Sequence, residues 1–455
     1  MVKEEFYKVV EKLILPLFTG SFISGEELSS ARDSEVAYGK QNSLLIKADK
    51  ADEYRLVLKR GQPFKSFELN LMKAILSEIN FISSLKLSDE NYIQTLQFHA
   101  IEKSICLSIA DEESATTMLG MINELVKWSS RTYEGRRVAI GIVINQSTSL
   151  AETQENIGYS DFMDREFFAL LSDGKSSYIE FDKHGMLISS VQLSRVRKAP
   201  TIAPYEFENI ANYCSDKRIG LVLTENGDIL IFKNRNLLFA KRGGVWNVYS
   251  HEEIIQLLAK RGSYSLKEIR RSIYYTALDS SFKYEGGCIV YLNNDCVESA
   301  LNHINAHDIL DEKYFEIKKN QVLANAGKLY NLQFLSQVEA VYNVSYQEFL
   351  DEQKCYKAKC LRKMIAGKYF HELNRALRQE LVGMDGATVV DSDGTIIAVG
   401  AILKIEAGSD GGGRLAAATT LAKYGIAIKI SQDGILKTFY SDRKAGKVKT
   451  LFTVG

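Results

Sequence analysis

Residues 383–439 read GMDGATVVDSDGTIIAVGAILKIEAGSDGGGRLAAATTLAKYGIAIKISQDGILKTF. An Asp-Gly-Ala turn (Asp385, Gly386, Ala387) heads a strand over 388–390, and Asp391-Ser-Asp-Gly394 turns it into a second strand over 395–405. A glycine cluster follows, Gly408 and Gly411 to Gly413, and Arg414 leads straight into Ala416, Ala417 and Ala418, strong helix formers. Residues 425–430 are an apolar strand, and Ser431-Gln-Asp-Gly434 turns it into another over 435–439. Strand pairs on either side of one helix specify an α/β domain.

The glycine cluster allows backbone conformations and close ligand approach that side chains forbid. The helix start after it offers unpaired N–H groups and the positive end of the macrodipole, which suit a phosphate. Arg414 adds a planar, permanently charged fork for phosphate oxygens. A surface loop before a core helix, with Arg414 in solvent, accounts equally well for glycine and arginine alone. Two familiar phosphate loops are excluded. Gly408 and Gly413 have P-loop spacing, but Arg414-Leu415 stands where Lys-Ser/Thr is needed. The Rossmann glycine spacing is also missing.

Taken in order, these motifs resemble the diadenylate cyclase family, with its DisA-like nucleotide-binding (DAC) domain. That family carries a DGA turn, a Gly-Thr-Arg-His-Arg-Ala-Ala loop and helix start, and a strand ending Ser-Glu-Glu. Here the DGA turn is unchanged. The loop reads Gly412, Gly413, Arg414, Leu415, Ala416, Ala417, Ala418, and the strand end reads Ser431, Gln432, Asp433. The resemblance is specific over 383–439 and extends more weakly back to about residue 263, through a helix at 266–278 and a strand at Gly287–Leu292.

The resemblance implies a mixed sheet flanked by helices, and two such domains facing each other, each with one ATP. It implies a catalytic Asp385 that serves Mg²⁺ or Mn²⁺ and the attacking 3′-hydroxyl, with Asp433 as a second metal ligand. It assigns Gly386, Ala387, Leu403, Gly411, Gly412, Gly413, Arg414 and Ser431 to the nucleotide. The departures bear on chemistry: Leu415 replaces the family's histidine, Ala416 its second arginine, and Gln432 the first of its paired acids. Loss of one transition-state donor costs about 10²–10³ in rate. Three functions therefore stay open. The chain is a diadenylate cyclase (a nucleotidyltransferase) condensing two ATP to cyclic di-AMP, a non-catalytic sensor of ATP or an adenine dinucleotide, or a scaffold with a vestigial pocket. The cyclase reading requires a homo-oligomer.

The pattern occurs twice. Residues 170–193 read LLSDGKSSYIEFDKHGMLISSVQL, and 218–232 read RIGLVLTENGDILIF after a helical stretch at 207–214. Asp173-Gly174 is matched to Asp385-Gly386, Asp182-Lys-His-Gly185 to Asp391–Gly394, Thr224-Glu-Asn-Gly227 to Ser431–Gly434, and the strand at 138–144 to Gly287–Leu292. The glycine–arginine loop has no counterpart; residues 194–204 fill its place, stiffened by Pro200 and Pro204. The middle copy is expected to be a degenerate, structural lobe.

The 455 residues suggest about three domains: an α/β domain of unknown role over 1–134, the degenerate lobe over 135–262, and the nucleotide-binding domain over 263–455 with a helical insertion at about 293–381. In the first, helices are expected at 3–15, from a Ser66 cap, and around Met118, Met121, Ile122 and Leu125, and strands at 43–47, 54–59, 92–100 and 104–109. The formal net charge of zero provides no overall basic field for nucleic acid. No apolar run nears the roughly 20 residues of a membrane span, and the amphipathic N-terminus is no signal peptide. A cytoplasmic location is expected. The six cysteines contain no CxxC, and His303 and His307 lack the glutamate of a zinc-helix motif, so packing roles are expected for all of them. The lysine-rich stretch at 354–368 reads as a solvated helix face, with a partner or nucleic-acid surface as the alternative.

Overall fold

A computed structural model describes residues 3–85, 90–147, 157–193, 200–215, 217–259, 266–329, 356–403, 412–442 and 447–455. The chain is α/β and divides into two compact units, Met1–Glu253 and Ile254–Gly455. Among the described residues no helix is long and apolar enough to cross a membrane.

The first unit opens with a helical segment, Lys3–Val9 continued by turns at Val10–Ile14 and Leu15–Leu17, and then an antiparallel sheet of β1 (Phe22–Leu28), β2 (Val36–Tyr38), β3 (Ser43–Ile46) and β4 (Tyr54–Lys59), in the order β1-β4-β3-β2. Helices Ser66–Ser84, Glu90–Ile109 and Glu112–Ser129 follow. Strands expected at 92–100 and 104–109 are instead one continuous helix. Ile101, Ile105 and Ile109 recur every fourth residue and are buried, so tertiary packing overrides a β-branched composition. Ser66 is the first helical residue rather than its cap. Lys65 takes the N-cap position, and its backbone N–H donates to the Glu68 carboxylate at 2.7 Å.

After a small hairpin, β5 (Thr132–Tyr133) and β6 (Arg136–Arg137), comes a seven-stranded sheet. Its strands are β7 (Ile140–Asn145), β8 (Ser177–Asp182), β9 (Leu187–Gln192), β10 (Arg218–Leu223), β11 (Ile229–Lys233), β12 (Asn236–Arg242) and β13 (Val245–Val248). They lie in the order β13-β12-β11-β10-β7-β8-β9. One apolar core joins β3 and β4 through Leu44 and Leu58, the helices through Met72, Ile105 and Met121, and this sheet through Ile142, Phe181 and Leu221.

The second unit is built on β14 (Gly287–Leu292), β15 (Ala387–Val390), β16 (Ile396–Ala401), β17 (Gly425–Ile430), β18 (Leu436–Asp442) and β19 (Lys447–Val454). Their order is β16-β15-β14-β17-β18-β19. Strand β14 is parallel to β15 and antiparallel to β17, and every other pair is antiparallel. In the first unit, β9-β8-β7-β10-β11-β12 has the same order, with β7 parallel to β8 and antiparallel to β10.

The repeat extends to hydrogen bonds. Asp182 Oδ1 accepts from the backbone N–H groups of His184 (2.9 Å) and Met186 (2.8 Å); Asp391 Oδ1 accepts from those of Asp393 (2.9 Å) and Thr395 (2.8 Å). The turn after β10 is closed by Gly227 N–H donating to Thr224 C=O, that after β17 by Gly434 N–H donating to Ser431 C=O. One sequence match shifts. Ile142 pairs with Ile179 as Ile289 pairs with Thr388, so Ser176 and Ser177, not Asp173 and Gly174, hold the places of Asp385 and Gly386. Asp173 sits one turn earlier in the loop.

Candidate functional site at one end of the second sheet

Strand directions alone gather the sequence-selected residues. Because β14 and β15 are parallel, Gly286 and Asp385 enter the sheet at the same end. Antiparallel β16 and β17 leave at that end, bringing Leu403 and the Ser431–Gly434 turn there. The Gly412–Leu421 helix then brings Arg414. Gly411, with the rest of 404–411, lies outside the described residues.

Asp385 is exposed and, among the described residues, its carboxylate has no hydrogen bond or ion pair. It stands on a two-glycine bulge. Gly386 has φ +104, and a Cβ there would lie 2.6 Å from the Gly400 carbonyl carbon and the Ala401 oxygen. Gly400 has φ +58 on the facing strand, and a Cβ there would lie 2.9 Å from the Asp385 carbonyl oxygen. Any larger residue at either position pushes the turn apart. Ala387 is buried with Cys288, Ala417 and Ala418 in the core beneath the helix, so its side chain acts in packing. Leu403 is buried and makes an isolated bridge to Ile304.

Arg414 is half-buried, with its guanidinium pressed onto Gly286, where a side chain would collide with it, and beside Gln432. Its Nε is buried and has no hydrogen-bond partner among the described residues. Gly286 therefore leaves the room in which the arginine lies. Cys288 lies buried nearby; burial raises its thiol pKa to about 12, although the Arg414 charge opposes that rise. Gly412 and Gly413 are exposed at the helix start, and a Cβ on either would meet nothing within 4 Å. Ser431 is half-buried within its turn, and exposed Asp433 accepts the Ile435 N–H at 3.2 Å.

Among the described residues no three His, Cys, Asp or Glu side chains converge into a metal-binding group. The two exposed carboxylates at this edge, Asp385 and Asp433, are hard oxygen donors. Carboxylates of this kind suit Mg²⁺ or Mn²⁺ only where further oxygen ligands, such as those of a phosphate, complete the coordination. His303 packs against Tyr424, with Nε2 2.9 Å from its hydroxyl, and His307 lies 4.0 Å from Asp308.

Three polar groups at this edge carried no signal in the sequence. Glu285 precedes Gly286, accepts from Gln379 Nε2 at 3.2 Å, and borders Gly383. Lys357, within the stretch read as a solvated face, turns inward: its Nζ donates to Asp308 Oδ1 at 2.5 Å and to the Gly400 carbonyl at 2.9 Å. Asp308 is buried, and its Oδ2 accepts the Ile402 N–H at 3.3 Å. These contacts span 49 and 94 residues of chain, separations that no local pattern announces.

The middle sheet fills the corresponding place with a larger side chain. Tyr178 has the register of Ala387, is fully buried, and lies against Gly141, the counterpart of Cys288; its hydroxyl donates to the Gly174 carbonyl at 2.7 Å. Asp173 is used up by its own loop, accepting from the N–H groups of Lys175 (2.9 Å), Ser176 (2.7 Å) and Ser177 (2.8 Å) and from the Ser176 hydroxyl (2.6 Å). Burial would raise its carboxyl pKa, but these bonds outweigh burial and hold it well below the usual range. Comparison with family models, with curated proteins and with solved structures gives no match to this chain.

Proposed function

We propose that residues 254–455 form an adenine nucleotide-binding domain of the diadenylate cyclase type. The observation that carries this reading is the meeting, at one sheet end, of an Asp385 carboxylate and a buried Arg414 Nε that have no partner among the described residues, and the Gly412–Leu421 helix start. An unbonded buried polar atom on a cation is costly and is relieved by an anionic ligand. Arg414 and the helix start hold phosphates, while Asp385, with Asp433, holds Mg²⁺ or Mn²⁺ that enters with them. The metal's contribution is neutralisation of phosphate charge. The ligand is ATP or an adenine dinucleotide.

Binding is the first reading, and sensing its use. Condensation of two ATP to cyclic di-AMP is the second, supported by Asp385 and opposed by Leu415 and Ala416, which supply no donor to a transferring phosphoryl group. It also needs two such domains face to face, hence a homo-oligomer. The full chain is to be incubated with labelled ATP and Mn²⁺, with products resolved and ATP and cyclic di-AMP binding measured in parallel. We expect saturable binding that Asp385→Ala weakens at least tenfold. A dinucleotide product lost in that variant establishes the cyclase; binding without product removes it. No binding of either nucleotide leaves a scaffold and overturns the proposal.

A further inference from the structure

Nothing in the site as drawn explains what keeps the Asp385 turn in place. The bulge under it has two left-handed glycines on adjacent strands, and the β15–β16 ladder slips register between Ala387 and Val389. Such a turn has many alternatives of similar energy unless something outside the sheet selects one. Thr388 Oγ1 ties the turn's entry by donating to the Leu381 carbonyl at 3.1 Å, and the contact that reaches the bulge on its facing strand is Lys357, on the Tyr356–Ile365 helix. Its ammonium caps the Gly400 carbonyl at 2.9 Å and pairs with buried Asp308 at 2.5 Å, and Asp308 fixes Ile402 N–H on the far side of the bulge. Lys357 Nζ also lies 3.6 Å from the Cβ that Gly400 lacks, and on the other flank the same position is 2.9 Å from the Asp385 carbonyl oxygen. Ammonium, Gly400 and Asp385 are thus three consecutive contacts.

The helix is itself anchored on this strand pair's neighbours. Arg362, one and a half turns on, donates from Nε to the Leu310 carbonyl at 2.6 Å and from Nη2 to that of Ile309 at 3.3 Å. Leu310 N–H in turn donates to the Ile397 carbonyl of β16 at 2.7 Å. The helix therefore holds strand β16 twice, once through Arg362 and once through Lys357, and only the second hold reaches the bulge.

We propose that Lys357 is a positioning residue: through Gly400 and Asp308 it sets the Asp385–Gly386 turn in its ligand-holding conformation, so that docking of the Tyr356–Ile365 helix governs occupancy of the site. This rests on the nucleotide-binding reading for its ligand but not for its geometry. Charge-assisted bonds to a backbone carbonyl and a buried carboxylate are the strong kind, and a residue acting through intervening contacts modulates affinity by up to roughly 30-fold. Lys357→Met keeps the aliphatic stem and removes the charge, while Lys357→Arg keeps a donor for both acceptors.

The test uses the full chain and two readouts. ATP affinity in Mn²⁺ is measured for the wild type, Lys357→Met, Lys357→Arg, Asp385→Asn and the Lys357→Met/Asp385→Asn double variant. Amide hydrogen exchange is followed at 384–387 and 400–402. We expect Lys357→Met to weaken ATP about tenfold, Lys357→Arg to recover at least half of that loss in logarithmic terms, and the methionine to add little once Asp385 is already Asn. Exchange at both segments should rise at least tenfold in Lys357→Met while β17 and β18 keep their protection. Unchanged exchange there overturns the proposal, whether or not nucleotide binds. Faster exchange with unchanged ATP affinity also overturns it, since the turn would then be loose without consequence. If the wild type binds no ATP, the function proposed above fails; the exchange arm and its arginine rescue then still decide whether Lys357 sets the turn.

Discussion

Arg414 presses on the bare Cα of Gly286, and that contact gives the glycine before β14 its reason. Its Nε is buried without a hydrogen-bond partner among the described residues, as are those of Arg55, Arg270 and Arg378, and in the function proposed above it is the one that meets phosphate. Arg414→Ala should therefore weaken ATP by about 10- to 100-fold while adenosine, which has no phosphate, changes less than twofold, as titration calorimetry would show. Equal losses for both would place the arginine on the base or sugar instead. A second residue sets a pH limit. His251 is buried with Nε2 2.7 Å from the Leu237 carbonyl, and burial lowers its pKa to about 4 from the usual 6.5. Below pH about 6.5 the unfolded chain takes up a proton that the folded chain refuses, so this histidine's stabilising contribution is full above that pH and is lost as pH falls toward 4. Between pH 7 and 4 the loss is about 2–3 kcal/mol. His251→Gln should flatten that part of the stability–pH profile in denaturant unfolding; a profile identical to the wild type would assign the loss to other groups.

Turns carry the repeat, and turns were what the sequence made readable. Asp-x-x-Gly at 182–185 and 391–394, and x-x-x-Gly at 224–227 and 431–434, bond in the same way because an aspartate at the first position ties down two following amides, or a glycine at the fourth accepts the left-handed close. Apolar runs such as 287–292 and 425–430 were legible for a similar reason, since a strand buried on both faces has no polar alternation. The helix Glu90–Ile109 was not legible: its β-branched and aromatic residues favour strand locally, and only its packing on Ser66–Ser84 decides otherwise. The offset of Asp173 was hidden too, because Asp-Gly before a strand looks alike whether it ends the loop or sits a turn earlier. Tyr178 gives a test at this scale. It packs against Gly141 at the register position that the small, buried Ala387 holds beside Cys288 in the second unit. Tyr178→Ala should destabilise the first unit by about 3–4 kcal/mol in urea unfolding, and nucleotide affinity should be unchanged. A loss below about 1 kcal/mol would mean that the ring is not a core element.

For the molecule as a whole, each unit contains the same six-strand order, and the two sheets differ at one place. The first has a tyrosine in the core and an aspartate bonded to its own loop; the second has small residues, an aspartate whose carboxylate has no partner among the described residues, and an arginine with a buried Nε. What was legible of this site was its residue types and their order. What was not legible was its support, Lys357, Asp308 and Glu285, because those contacts come from segments distant in sequence. The most direct measurement is hydrogen exchange on the full chain with and without saturating ATP and Mn²⁺. The account predicts protection at 385–387, 412–416 and 431–434 and none at 172–178. Protection at 172–178, or no protection in either unit, would contradict it.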